Sequence, residues 1–126
     1  MKVADSTYLV EAILRDATLL EDEVLVCPDI ALYEVINAIW KHETLLHDLK
    51  DSQTRIELLS DMISNANVQL IRPDWKLLNE TYALSAKHGS TIYDCVFIAL
   101  ALQLNVELAT FDRKQSSILS GERKAS

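Results

Sequence analysis

Apolar and polar positions change period along the chain, and the changes mark out alternating strands and helices. Lys2 to Ala4 is a short apolar lead into Asp5-Ser6, after which Leu9, Val10, Ile13 and Leu14 recur at helical spacing; this predicts strand, turn and helix in succession. Val24 to Cys27 is a second β-branched run, stopped by Pro28, with Asp29 placed to cap a helix running to about His42. A further helix spans about Asp48 to Ala66, with Ile56, Leu59, Met62 and Ile63 on one face. Val68 to Ile71 reads as a third strand, ended by Arg72-Pro73. Asp74 opens a helix that stops near His88-Gly89, where glycine takes the left-handed cap. Thr91 starts a very apolar helix to about Leu104, Glu107 to Thr110 is a fourth strand, and Asp112 begins a last helix toward Leu119.

Strands alternating with helices predict an α/β fold with a parallel sheet covered on both faces. With 126 residues, nearly half of them hydrophobic, the chain builds one core. We expect a single domain over residues 1–120 and a polar, fraying tail over 121–126. Only two glycines and two prolines occur, too few turn residues for an all-β fold. Ligands of open α/β sheets sit outside the carboxyl ends of the strands, and both Asp5 and Asp112 fall at or just after such an end.

Other chemistries are thinly represented. Cys27 and Cys95 lie far apart in apolar runs with no CxxC, the setting of buried, unpaired thiols. His42-Glu43 begins an HExxH-like string, but Leu46 stands where the second histidine is needed, which removes a zinc protease. Gly89 and Gly121 stand alone, so there is no phosphate-binding glycine loop, and no G-x-S-x-G nucleophile elbow occurs. The first residues lack an apolar signal region and no stretch approaches 18 apolar residues, so a soluble, cytoplasmic protein with no membrane partner is expected.

Four acids stand out by their surroundings. Each has a plain structural role open to it: Asp5 and Asp112 as helix N-caps, Asp94 in a Thr91-x-x-Asp94 capping box, and Glu34 in a polar stripe with Asn37 and Lys41. Yet between Ile30 and Trp40 the polar side chains are Glu34 and Asn37, apart from the Tyr33 phenol, on a helix apolar almost all round and therefore expected inside. Between Ile92 and Leu104 the only charge is Asp94, with no Lys or Arg within one turn. A carboxylate carried into such a setting persists when it is paired or when it coordinates metal. Four oxygen donors, with no His or Cys in a ligand's place beside them, suit a hard cation, Mg²⁺ or Mn²⁺, whose best chemistry is phosphoryl transfer. The net charge of −7 opposes a broad electrostatic contact with nucleic acid, an objection that weakens where bound cations invert the local charge.

Four segments, Val3-Ala4-Asp5-Ser6-Thr7-Tyr8-Leu9, Leu32-Tyr33-Glu34-Val35-Ile36-Asn37-Ala38, Tyr93-Asp94-Cys95-Val96-Phe97-Ile98-Ala99-Leu100-Ala101 and Leu108-Ala109-Thr110-Phe111-Asp112, resemble those of the PIN-domain nucleases, and within them the VapC-type toxins of toxin–antitoxin pairs. They run in the family's order across nearly the whole chain. The resemblance implies a three-layer α/β/α fold with Asp5, Glu34, Asp94 and Asp112 as an acidic quartet that binds metal and cuts RNA. Thr110, Ser6 and Asn37 would support the site. Some relatives carry a further acid one turn past the third carboxylate, where this chain has Ile98, so a minimal quartet is expected and the number of metals stays open.

On that basis the carboxylates would hold one or two ions that activate water for in-line attack on a phosphodiester. Arg15, Lys41, Arg113 and Lys114 are candidates to hold the RNA backbone. A cognate antitoxin and a second copy of the chain, in a homodimer or larger assembly, are the expected protein partners. Two other readings share these residues: a catalytically silent PIN-like module that binds a partner through Ile30 to Trp40 and Thr44 to Leu49, and a metal-dependent phosphatase.

Overall fold

A computed structural model describes residues 1–125 and contains the four strands expected, β1 (Lys2–Ala4), β2 (Leu25–Pro28), β3 (Val68–Ile71) and β4 (Leu108–Ala109). They form one parallel sheet in the order β3-β2-β1-β4. The helices are α1 (Ser6–Leu14), α2 (Ile30–Trp40), α3 (Ser52–Ser64), α4 (Trp75–His88), α5 (Ile92–Leu104) and α6 (Arg113–Ala125). Helices α1, α2 and α3 pack on one another, α5 packs against α4, α6 and the two central strands, and the sheet lies between. This is the α/β architecture that the alternating pattern predicts.

The core is built where the pattern is most apolar. Val3 and Ala4 of β1, Leu25 to Cys27 of β2 and the run Cys95 to Ala101 of α5 are all buried. Such continuous runs belong to elements covered on both faces. Cys27 and Cys95 are free and buried, and burial pushes the Cys27 thiol up to about 12, which leaves it inert. Among the described residues no helix is long and apolar enough to cross a membrane.

Local capping chemistry sets several boundaries. Asp74 accepts from the Leu77 N–H at 2.8 Å, Thr91 caps α5 through the Asp94 N–H at 3.2 Å, and Gly89 ends α4 at φ 61°. Asp29 does not take the capping role expected of it: its backbone is already helical and its side chain makes no capping bond. Two short segments have no counterpart in the sequence reading, a 3₁₀ turn over Ala17–Leu20 and a π-helical turn over Lys41–Leu45 that continues α2.

Two further expectations are corrected. Helix α2 is not interior: Ala31, Val35 and Ile39 are buried, but Tyr33 is 73% exposed and Trp40 50% exposed, so its apolar sequence serves an outer face as well as the core. Where a fraying tail was expected after Leu119, α6 runs on through Gly121 to Ala125; Ser126 of that tail lies outside the described residues. The last turns of α6 are tied down by Glu122, which meets His88 Nε2 at 2.7 Å and Lys87 Nζ at 3.0 Å, and by Arg123, which donates to the Val106 carbonyl.

Candidate active site

The strand order reverses direction about β1: the chain builds outward through β2 and β3 on one side and returns to β4 on the other. The gap beyond the carboxyl ends of β1 and β4 is therefore the topological switch point, where open α/β sheets place their ligands. Asp5 stands directly after β1. Its N–H donates to the Ala109 carbonyl of β4 at 3.1 Å, and its extended backbone makes it the N-cap of α1.

The Asp5 side chain is 0% exposed and surrounded by donors. Oδ1 accepts from Thr7 Oγ1 at 2.7 Å and from the Tyr8 N–H at 3.0 Å; Oδ2 accepts from Thr110 Oγ1 at 2.5 Å. Burial pushes its carboxyl above the ordinary range, the three donors pull it back, and the charge of Asp112 pushes it up again. Thr110 in turn accepts from the Asp112 N–H at 2.9 Å, and Thr7 accepts from the Phe111 N–H at 3.0 Å. The two threonines thus lace the end of β1 to the loop after β4.

Asp112 caps α6, its Oδ1 accepting from the N–H groups of Lys114 at 2.9 Å and Gln115 at 3.3 Å. Glu34 projects from α2, half-buried, and its Oε1 accepts from Ser6 Oγ at 2.6 Å. Burial raises its carboxyl as well, opposed by the Ser6 bond and reinforced by the charges of Asp94 and Asp5. Asp94, on the first turn of α5, does not complete the capping box: its Oδ1 accepts from Gln115 Nε2 at 3.4 Å.

All four acids therefore meet at one edge of the sheet and feel one another's charge, Asp5 with Asp112 and with Glu34, Glu34 with Asp94. None of the ion pairs among the described residues involves any of them. Four mutually repelling carboxylates with hydroxyl and amide neighbours make a donor set that fits a hard divalent cation. As they stand, no three Asp, Glu, His or Cys side chains among the described residues are grouped closely enough to hold an ion.

A cleft of about 640 Å³ opens beside Glu34, lined by Ser6, Thr7, Val10 and Arg15 of the α1 region, Asn37 of α2 and Phe111 of the loop after β4. Of the cationic residues named from sequence, Arg15 lines the cleft while paired with Glu11 at 2.8 Å, and Arg113 and Lys114 are exposed on the first turn of α6. Lys41 is exposed in the π-helical turn and makes no bond to the acids. Thr7 and Gln115 were not singled out from sequence. A Thr two residues past a strand-end Asp is a recognisable hydroxyl partner, whereas nothing local to Gln115 announces its reach to Asp94.

Residues 4–118 match the PIN domain. The chain belongs to the PIN-domain family. This PIN domain is 34% identical over 88 residues to Ribonuclease VapC3 of Pyrobaculum aerophilum, a match covering 68% of the chain and 64% of that protein, so somewhat less than two thirds of the relative's length is spanned. Its fold is similar to that of PAE2754 from Pyrobaculum aerophilum, with a TM-score of 0.74 at 20% identity over 93% of this chain and 83% of the other. It is also similar to a chain of VapBC2 from Rickettsia felis bound to a DNA fragment from their promoter, with a TM-score of 0.65 at 18% identity over 93% and 92% of the two chains.

Proposed function

We propose that this PIN domain is a divalent-metal-dependent endoribonuclease that hydrolyses RNA phosphodiester bonds, and that it acts as the toxin of a toxin–antitoxin pair. The observation that carries this reading is the convergence of Asp5, Glu34, Asp94 and Asp112 on the switch point, with no ion pair to any of them among the described residues. The identity to a ribonuclease of the VapC type supports it. We assign the four acids as ligands of Mg²⁺ or Mn²⁺. When bound, the cation supplies Lewis acidity, neutralises phosphate charge and activates water for in-line displacement.

The remaining work falls to the chain's own side chains. Thr7 and Thr110 hold Asp5 with both oxygens engaged, and Ser6 fixes Glu34, so two of the four carboxylates are oriented before any ligand arrives. Gln115 steadies Asp94 from α6. Arg113 and Lys114, exposed one and two residues past Asp112, are our candidates to meet the RNA backbone. The exposed apolar face of α2 and the turn after it, with Tyr33, Ile36, Trp40, Leu45 and Leu46, supports a protein partner such as the cognate antitoxin or a second copy of the chain.

The test is incubation of the purified protein with structured RNA in Mn²⁺, Mg²⁺ or EDTA, beside Asp94→Asn. Asn keeps an oxygen for Gln115, so the fold stays and cleavage is lost. Retained cleavage in that variant would overturn the assignment of Asp94; no cleavage by the wild type under either metal would overturn the nuclease reading.

A further inference from the structure

Phe111 lies between Thr110 and Asp112, lines the cleft, and is 59% exposed as a residue. It is not a loose side chain. The Phe111 N–H is held by Thr7 Oγ1 at 3.0 Å. The ring stacks on Tyr8 with centroids 5.6 Å apart and planes 14° from parallel. Tyr8 is itself pinned, its N–H to Asp5 and its hydroxyl to the Leu19 carbonyl at 2.9 Å. Thus the loop that carries two site residues also presents a flat aromatic ring, braced by a second ring and by the bonds that orient Asp5.

We propose that Phe111 is the stacking platform for an unpaired nucleobase of the RNA strand, seated in the cleft beside the acids. This deepens the nuclease reading and rests on it. The chemistry of the cleft suits a flat ring with polar edges: Val10 and Phe111 give apolar surface, while the Asn37 amide, the Arg15 guanidinium and the Ser6 hydroxyl offer hydrogen-bonding groups. Sequence-selective recognition of RNA works on unstacked bases laid against aromatic rings, and a stacked base tolerates any identity that its edge partners accept. A base held at Phe111 would sit in the cleft that Glu34 lines, one residue along the loop from Asp112.

The experiment measures binding apart from cleavage. In an Asp94→Asn background with Mg²⁺, a fluorescent single-stranded oligoribonucleotide of about ten nucleotides is titrated by anisotropy, and the same strand is titrated as a duplex. Phe111→Leu keeps apolar bulk against Tyr8 and removes the π face; Phe111→Tyr and Phe111→Trp restore it. Loss of one base stack weakens single-strand binding about tenfold in the Leu variant, with recovery in Tyr and Trp and weak duplex binding throughout. Single-strand binding by Phe111→Leu equal to that of Phe111, or duplex bound as tightly as single strand, would overturn the platform. Cleavage by the protein with Asp94 intact is scored in parallel: if it cuts RNA while the Leu variant binds normally, the platform alone fails, and if RNA is neither bound nor cut, both readings fail.

Discussion

Replacing Thr110 by Val removes one hydroxyl and keeps the shape, so it isolates what that oxygen does. The hydroxyl donates to Oδ2 of Asp5, a side chain with no exposed surface, and accepts from the Asp112 N–H. A hydrogen bond to a charged group contributes about 1.5–3 kcal/mol, and here water cannot replace it. The Asp112 N–H belongs to a half-buried residue that solvent reaches, and its loss adds less than about 1 kcal/mol. No cavity opens, because Val fills the same volume. The total is about 2–4 kcal/mol at neutral pH, or a fall of roughly 8–15 °C in the melting temperature of a domain this long. The cost depends on pH with a definite sign. The Thr110 bond lowers a carboxyl that burial has raised above its ordinary value of 3.8, so its removal raises the folded-state pKa further. A carboxyl raised on folding contributes stability at low pH and loses it as pH climbs from the unfolded value through the folded one. The gap between wild type and variant is therefore widest at neutral pH and narrows as acidification protonates Asp5. Urea unfolding of both proteins, without metal, at several pH values from 4 to 7.5 measures it. A deficit below about 0.5 kcal/mol at pH 7, or one that does not change with pH, would refute the account of Asp5 as a buried charge held by hydroxyls.

The metal-free protein should itself gain stability as pH falls from neutral into the range where Asp5 and Glu34 take up protons, since both have folded-state pKa values raised by burial and by neighbouring acids; thermal melts in EDTA over a series of acidic pH values check this, and a flat or falling profile would contradict it. Mg²⁺ or Mn²⁺ should raise the melting temperature, by roughly 10 °C at a hundred times the dissociation constant, through about 2.7 kcal/mol of binding linkage; Asp94→Asn should blunt the effect, and no shift at millimolar metal would count against a formed site. Gly89→Ala meets no atom within 4 Å, so its cost is purely conformational, about 1 kcal/mol for a left-handed cap at φ 61°, readable as a small drop in urea midpoint with activity unchanged.

What was legible in the sequence was mostly local. The capping of α4 by Asp74, the stop at Gly89 and the capping of α5 by Thr91 each depend on atoms within four residues of one another, and the text of the chain contains them. The sheet followed from alternation alone, because each strand is a short apolar run followed by a helix. What escaped is what the fold brings from a distance. Sequence pointed to Glu34 and Asp94 as the acids in apolar settings, yet both are only half-buried, and the fully buried carboxylate is Asp5. Its burial comes from β4 and Thr110, far along the chain. Gln115 was invisible for the same reason. The outer face of α2 misled in the opposite direction: apolar residues predict burial only when something covers them.

The contact between Asp5 and Thr110 spans 105 positions of sequence. During synthesis the two members emerge 105 residues apart, and β1 cannot gain its β4 neighbour until the second has appeared. A chain still short of Leu108 lacks the strand, the hydroxyl and the fourth acid together. On the nuclease reading proposed above, such a chain holds an incomplete site, and competence to cut RNA would wait until the segment carrying β4 and Asp112 has been made.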